Sequence, residues 1–259
     1  MVAAVADEEN ESIGTRALIA SGVRADAAIV TEPTRLAIAP AHRGFAWLDV
    51  ELTGRAAHGS RYDIGVDAIT HAGLLLAELD RAQREVLVAR THPLLGHASM
   101  HASLISGGIG MSTYPDHCSL RLERRTLPGE SAEDVLREVM AACERVRSTT
   151  PSFRARTRLD FAQGPSDVAV DAPVVRSLGA ALAASGEPVR VEGLSAWTDA
   201  ALLNDAGIPA ICFGPGDITL AHSAEEWVEI DEIERATVVL AELACNWLGE
   251  RGGDTPWHS

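Results

Sequence analysis

The sequence contains no lysine: all 22 of its basic residues are arginine, against 37 acidic ones, for a formal charge of -15 over 259 residues. A chain this acidic is repelled by phosphate backbones unless a local basic stripe offsets the charge. No such stripe occurs, which argues against a nucleic-acid partner. Also missing is any apolar run near the roughly 20 residues that a membrane-spanning helix needs. The apolar start Met1–Ala6 runs at once into Asp7-Glu8-Glu9, has no basic leader and is shorter than a signal core. The cysteines, Cys118, Cys143, Cys212 and Cys245, form no CxxC pair. They read as buried free thiols in a reducing compartment, so a cytoplasmic location is expected. Internal repeats and low-complexity tracts are absent, and only a polar tail follows Gly249.

What is present divides into three segments. Residues 1–41 alternate a strand candidate Val2–Ala6, a helix over Ser12–Ser21 stopped by Gly22, and a strand Ala27–Val30. This rhythm predicts a mostly parallel sheet. Residues 42–164 change character. A strand runs from Phe45 to Leu52, a helix from Val66 to Val88, and strands over Ser99–Ile105 and His117–Glu123 flank Gly107-Gly108. Ser131 with Asp134 forms a capping box for a second helix, and Arg154–Phe161 reads as an edge strand. The order β-α-β-β-α-β is that of the ferredoxin-like split unit. Residues 165–259 return to α/β rhythm, with helices at Ala172–Ser185, Thr198–Asp205 and Glu232–Leu248, the last capped by Asp231. A short strand, Ala210–Phe213, ends in Gly214-Pro215-Gly216. The expected architecture is an α/β domain, its mixed sheet formed by residues 1–41 and 165–259, interrupted by an inserted α+β domain over 42–164.

Three polar clusters follow strand candidates: Asp7-Glu8-Glu9, Glu32-Pro33-Thr34, and His222 with Glu225 and Glu226. In open α/β sheets function gathers outside the carboxyl ends of strands, so the three are expected on one rim. Carboxylates with one imidazole suit Zn, Mn or Co, and an adjacent glutamate pair lets one hold metal while its neighbour handles a proton. Each piece also has a plainer reading. An acidic run favours a helix start, Glu-Pro-Thr is a common turn, and a histidine beside two glutamates is often a screened surface pair.

The whole pattern resembles one family. Val5-Ala6-Asp7-Glu8-Glu9, Asp26 to Thr34, Gly54-Arg55-Ala56-Ala57-His58-Gly59-Ser60 and Gly65-Val66-Asp67-Ala68-Ile69 are similar to the zinc-dependent aminoacylase, desuccinylase, acetylornithine deacetylase and glutamate carboxypeptidase family of metallopeptidases. So are Ile105-Ser106-Gly107-Gly108, Tyr114-Pro115-Asp116, Arg125 to Glu130, Trp197-Thr198-Asp199-Ala200, Gly207-Ile208-Pro209, Phe213 to Gly216 and Ala221 to Val228. The acetylornithine-deacetylase-like branch is nearest in flavour. The resemblance implies a catalytic α/β domain carrying two zinc ions, with Co or Mn as substitutes, and an inserted lid that dimerises the chain. It implies that Glu8 is the general base, that Glu9 and His222 hold one metal and Glu32 the other, and that His58 reaches a partner's site to stabilise an oxyanion. Arg125 pairs with a substrate carboxylate, or else with Glu123 on its own strand, and Gly216 brings a backbone amide to the substrate.

The family also carries a His-x-Asp motif and a Gly-x-x-Asp motif ahead of the Asp-Glu-Glu run, and neither is found in this sequence. The chain is therefore expected to correspond to the carboxyl-terminal two-thirds of a family member, with at best a weak single-metal site. Two functions remain open. One is metal-dependent hydrolysis of amide bonds in N-acyl amino acids or small peptides; the other is a non-catalytic truncated homologue that dimerises through its lid.

Overall fold

The computed structural model describes residues 1–251, and the polar tail beyond Arg251 lies outside the described residues. The strands, in chain order, begin with β1 Ala28–Val30, β2 Ile38–His42, β3 Gly44–Thr53 and β4 Ala57–His58. They continue with β5 Thr91–His92, β6 Gly96–His97, β7 Ser99–Gly107, β8 Thr113–Tyr114 and β9 His117–Thr126. The remainder are β10 Ala155–Gln163, β11 Ser166–Asp167, β12 Val191–Leu194 and β13 Ala210–Cys212. The α-helices are α1 Ile13–Ala20, α2 Ala68–Ala82, α3 Ala132–Thr149, α4 Pro173–Ala184, α5 Ala200–Asp205 and α6 Ile230–Arg251. No helix among the described residues is long and apolar enough to cross a membrane. The chain forms two compact units, residues 1–42 with 166 onward, and residues 43–165.

The first unit is built on a mixed five-stranded sheet in the order β1-β13-β2-β11, with β12 also paired to β2. β1 runs parallel to β13, and β12 parallel to β2, while β13 and β11 run antiparallel to β2. The sheet is thus less parallel than the α/β rhythm suggests. Helices α4 and α6 cover one side, burying Ile38, Val174, Leu178, Leu182, Ile211, Phe213, Ala236 and Val239 in one cluster. A smaller cluster of Ala39, Leu194, Ala200, Ala210 and Cys212 seats α5. Val2–Ala6 is not a strand: those residues carry no sheet pairing and are exposed, with Val2 97% accessible. An apolar pentapeptide becomes a buried strand only where a neighbour offers it a ladder, and none is offered here. Conversely β2 is wholly buried although Pro40 breaks its strand signature. Its side chains are enclosed on both faces, so small residues suffice. α6 starts at Ile230, which puts Asp231 in the first turn, where a carboxylate suits the helix dipole, and not at the cap. Of the four free cysteines, Cys118, Cys143 and Cys212 are buried, but Cys245 on α6 is exposed.

The second unit pairs β10-β3-β9-β7 in one antiparallel sheet. β3 alternates strictly, sending Ala46, Leu48, Val50 and Leu52 inward, and β9 answers with Cys118, Leu120 and Leu122. The apolar stripe of α2 (Ala68, Ala72, Leu75, Leu79) and that of α3 (Val135, Val139, Ala142, Val146) close the core. Asp67 caps α2 by accepting the Thr70 N–H, and the Ser131–Asp134 capping box opens α3. α2 stops at Ala82, where the backbone passes into a wider π turn over Gln83–Leu87. Arg124 continues the inward row of β9 as a fully buried cation. It is paired with Glu130 at 2.6 Å and Glu138 at 3.3 Å.

Glu78 ties the two helices together. It accepts from Arg81 at 2.7 and 3.0 Å and from Arg145 on α3, and these bonds, led by that from Arg81, hold its carboxyl down at about 2. A carboxyl lowered on folding stabilises the native state above its unfolded value near 4.5 and loses that contribution as pH falls toward 2. Glu78→Gln is expected to cost on the order of 1 kcal/mol at pH 7, given the exposed arginine partners. Urea unfolding measures this: the gap from wild type should close between pH 4.5 and 2, and a pH-independent gap would contradict the assignment.

Candidate functional site

Asp7, Glu8 and Glu9 sit at a turn that leads into α1. Asp7 adopts φ 70°, a left-handed conformation that aspartate tolerates because its short carboxylate can bond nearby amides. Its Oδ2 accepts from Glu11 N–H at 3.2 Å and Ile13 N–H at 3.4 Å, and its carbonyl accepts from Ser12 N–H at 2.7 Å. Asp7 is thereby committed to the turn, which leaves Glu8 and Glu9 for chemistry. Gly14 is needed below it: a Cβ there would come within 2.4 Å of Ala6 N.

Glu32 emerges beside the same region because β1 and β13 are parallel and end together, with Val30 opposite Cys212. The turns that follow are locked to each other. Thr34 Oγ1 accepts from Gly214 N–H at 3.1 Å and donates to Ala37 O at 2.7 Å, and Arg35 N–H donates to Gly216 O at 2.8 Å. Gly214 has no room for a side chain, since a Cβ would stand 2.6 Å from Glu32 O. Two successive left-handed residues, Arg35 at φ 52° and Leu36 at φ 58°, complete the crossing into β2.

His222, itself at φ 62°, donates its N–H to Glu226 at 3.1 Å, and its Nε2 lies 3.1 Å from Glu9 Oε1. The bond to Glu9, and then the charge of that carboxylate, raise the His222 pKa. Glu8 is half-buried, and burial first, then the charges of Glu32, Asp199 and Glu9, push its carboxyl up to about 7, with His222 pulling the other way. Burial also raises Glu32, helped by Glu9 and Asp199. Glu8, Glu9, Glu32 and His222 therefore share one electrostatic neighbourhood, although Glu9 and His222 are 213 positions apart in sequence.

Asp199 belongs to this neighbourhood, and residue-by-residue reading assigned it no role. It is 3% exposed and precedes α5 in the N-cap position, yet it makes no capping bond. Its Oδ2 instead accepts the Thr15 hydroxyl at 2.5 Å, and Oδ1 has no hydrogen-bond partner. The sequence reading places Asp199 inside a helix over Thr198–Asp205, where a carboxylate is ordinarily a solvated surface group; the helix begins instead at Ala200.

The other expected residues are engaged locally. Gly216 N–H donates to Glu232 Oε2 at 2.8 Å. In the second unit, Arg125 Nε donates to Glu123 Oε1 at 2.5 Å and its guanidinium lies 5.4 Å from the centre of the Phe45 ring. His58 is exposed on β4, where its Nδ1 lies 2.9 Å from Ser60 Oγ and 3.2 Å from Ser60 N. Among the described residues no three His, Cys, Asp or Glu side chains are gathered closely enough to hold a metal ion. The donor chemistry is right for zinc, but Glu9 and His222, which touch, are one short of the three protein ligands usual at a catalytic zinc. As they stand, these residues do not close a metal site.

Comparison with known proteins follows the same lines. The sequence profile of Peptidase family M20/M25/M40 matches residues 1–246. Acetylornithine deacetylase of Myxococcus xanthus is 32% identical over 97% of this chain and 66% of its own length. Among solved structures, aminopeptidase PepT from Bacillus cereus superposes with a TM-score of 0.76 at 20% identity, over 92% of this chain and 62% of that one. A metallo-carboxypeptidase of the M20 family from Sulfolobus solfataricus gives 0.70 at 14% identity, over 88% and 65%. The chain thus spans about two thirds of the length of the relatives it matches.

The electrostatic grouping has a direct readout. Carboxyl-carbon NMR is expected to show Glu8 titrating near 7, and Glu32→Gln should lower that midpoint by removing the foremost opposing charge. A midpoint near the ordinary 4.5 in the wild type would separate Glu8 from the cluster.

Proposed function

The chain belongs to Peptidase family M20/M25/M40, a family of hydrolases, and we propose that it takes part in hydrolysis of the amide bond of N-acyl amino acids or small peptides, on the acetylornithine-deacetylase pattern. The observation that carries this reading is Glu8, a carboxylate poised near neutral pH at the rim where Glu32 and His222 meet it. A general base works best when its pKa lies near the operating pH. Glu8 accepts the proton of an attacking water and passes it to the leaving amine as the carbon–nitrogen bond breaks, so that the carboxylate is restored. The family implies a divalent metal, typically zinc. Glu9, His222 and Glu32 are the donors this chain contributes, though they complete no site by themselves.

His58, exposed on β4, is the group that donates to the oxyanion of the tetrahedral intermediate in a second copy of the chain. The edge strand β7, with Leu104 60% and Ile105 57% exposed, is the surface offered for that pairing. In this reading Arg125 is the candidate partner of a substrate carboxylate, released from Glu123, and Gly216, released from Glu232, offers a backbone amide to substrate. One observation favours a second reading, a non-catalytic homologue that pairs through the same edge: no three donors converge among the described residues.

Hydrolysis of N-acetyl amino acids by the purified chain with added zinc separates the two. The enzyme reading expects turnover that falls about 100- to 10,000-fold in Glu8→Gln, with KM within a few-fold. Equal turnover in the variant would overturn Glu8 as base. No turnover and no zinc uptake by the wild type would favour the second reading.

A further inference from the structure

Helix α1 is docked through polar groups. Eight residues are too few for a helix to stand alone in water, so it depends on what its inner face touches. That face carries Thr15, the buried residue of the helix, with Ser12 just ahead of it at 0% exposure and the half-buried Leu18 and Ile19 one turn on, whereas Ile13 points outward at 58%. The buried contact is the Thr15 hydroxyl on Asp199 Oδ2 at 2.5 Å, which joins positions 184 residues apart. Another long-range contact from this segment, Glu9 with His222, is exposed, with both side chains about three-quarters accessible. Helix α1 follows directly on the turn whose residues 8 and 9 face the rim, and Gly14 N–H donates back to Ala6 O at 3.1 Å across that turn. A shift of the helix is therefore a shift of Glu8 and Glu9.

A neutral acceptor at position 199 could take the same hydroxyl. A carboxylate there lies within electrostatic reach of both Glu8 and Glu32 and repels them. What it provides in return is a charge-assisted bond, shorter and stronger than a neutral one. We propose that Asp199 is a positioning residue: through Thr15 it anchors α1 and so sets Glu8 and Glu9 in register with Glu32 and His222. This rests on the reading of Glu8 as the proton carrier, while the anchoring itself does not.

The test uses the full chain and three variants. Thr15→Val removes the donor, Thr15→Ser keeps it, and Asp199→Asn keeps an acceptor oxygen without the charge. Hydrogen exchange of the α1 amides is expected to quicken about tenfold or more in Thr15→Val, to return toward wild type in Thr15→Ser, and to fall between wild type and Thr15→Val in Asp199→Asn, which keeps the acceptor but loses its charge. The nuclear Overhauser contact between the Glu9 side chain and the His222 ring should be lost in Thr15→Val and kept in Thr15→Ser. On an N-acetyl amino acid, Thr15→Val should lower kcat about 10- to 100-fold with KM within twofold, and Thr15→Ser should restore it. Unchanged α1 exchange in Thr15→Val overturns the anchor. Faster exchange with an intact Glu9–His222 contact and unchanged kcat overturns the positioning role. If the wild type hydrolyses nothing, the functional reading fails, and exchange with the ring contact still decides the inference.

Discussion

Burial of carboxylates at one rim, together with their mutual repulsion, is the constraint around which the first unit is arranged. Glu8, Glu32 and Asp199 oppose one another, Glu9 adds to the crowd, and a single imidazole works against them. Raising the half-buried Glu8 carboxyl from 4.5 to about 7 costs on the order of 1 kcal/mol once solvent screening is counted, a noticeable fraction of the stability of an ordinary domain. Native chains keep such an arrangement only where the surrounding structure over-determines it.

The over-determination is visible in the backbone. Asp7, Ser12, Arg35, Leu36 and His222 all have positive φ, and each lies in or next to a segment that carries a rim residue. Arg35 and Leu36 are held by hydrogen bonds to a segment far away in sequence, to Gly216 O and Gly214 O, while Asp7, Ser12 and His222 are held by bonds within their own turns. The parallel pairing of β1 with β13 brings the two strand ends level, and the threonine clamp joins the turns that leave them. Burial of Thr34, Thr198 and Asp199 behind the rim removes water that would otherwise screen the charges. The second unit has no comparable strain. Its core is apolar, and its charges are mostly paired across the sheet face or between helices, as with Arg121 on Asp49 and Arg145 on Glu78.

Much of this could be read from the residue order, and the failures have specific causes. Glu32 lies beyond the end of β1, as α/β sheets lead one to expect, but Glu8 and Glu9 follow no strand, and their grouping with Glu32 and His222 was legible from the family motifs. Helices α2, α3 and α4 were legible from apolar period and caps. Val2–Ala6 failed because its apolar pattern says nothing about whether a neighbouring strand is there to receive it. β2 escaped notice because its buried residues are alanine and proline as much as isoleucine. Asp199 was hidden because the apolar period places it inside a helix from Thr198, whereas the helix starts at Ala200 and the carboxylate turns back to Thr15, 184 positions away. The engagement of the Gly216 amide by Glu232 depends on α6, 16 positions away, and has no local signature.

Charge repulsion at the rim makes one stability measurement decisive. A carboxyl whose pKa is raised on folding leaves the native state unpenalised below about 4.5, and its penalty grows as pH climbs through about 7. Urea unfolding of Glu8→Gln, Glu32→Gln and the double variant at pH 4 and pH 8 reads this directly. At pH 8 each single substitution should stabilise the chain by about 1 kcal/mol or more, and the double variant should gain less than the two together. At pH 4 the gains should vanish. Loss of stability at pH 8, or additive effects independent of pH, would contradict the gathering of these carboxylates at one place.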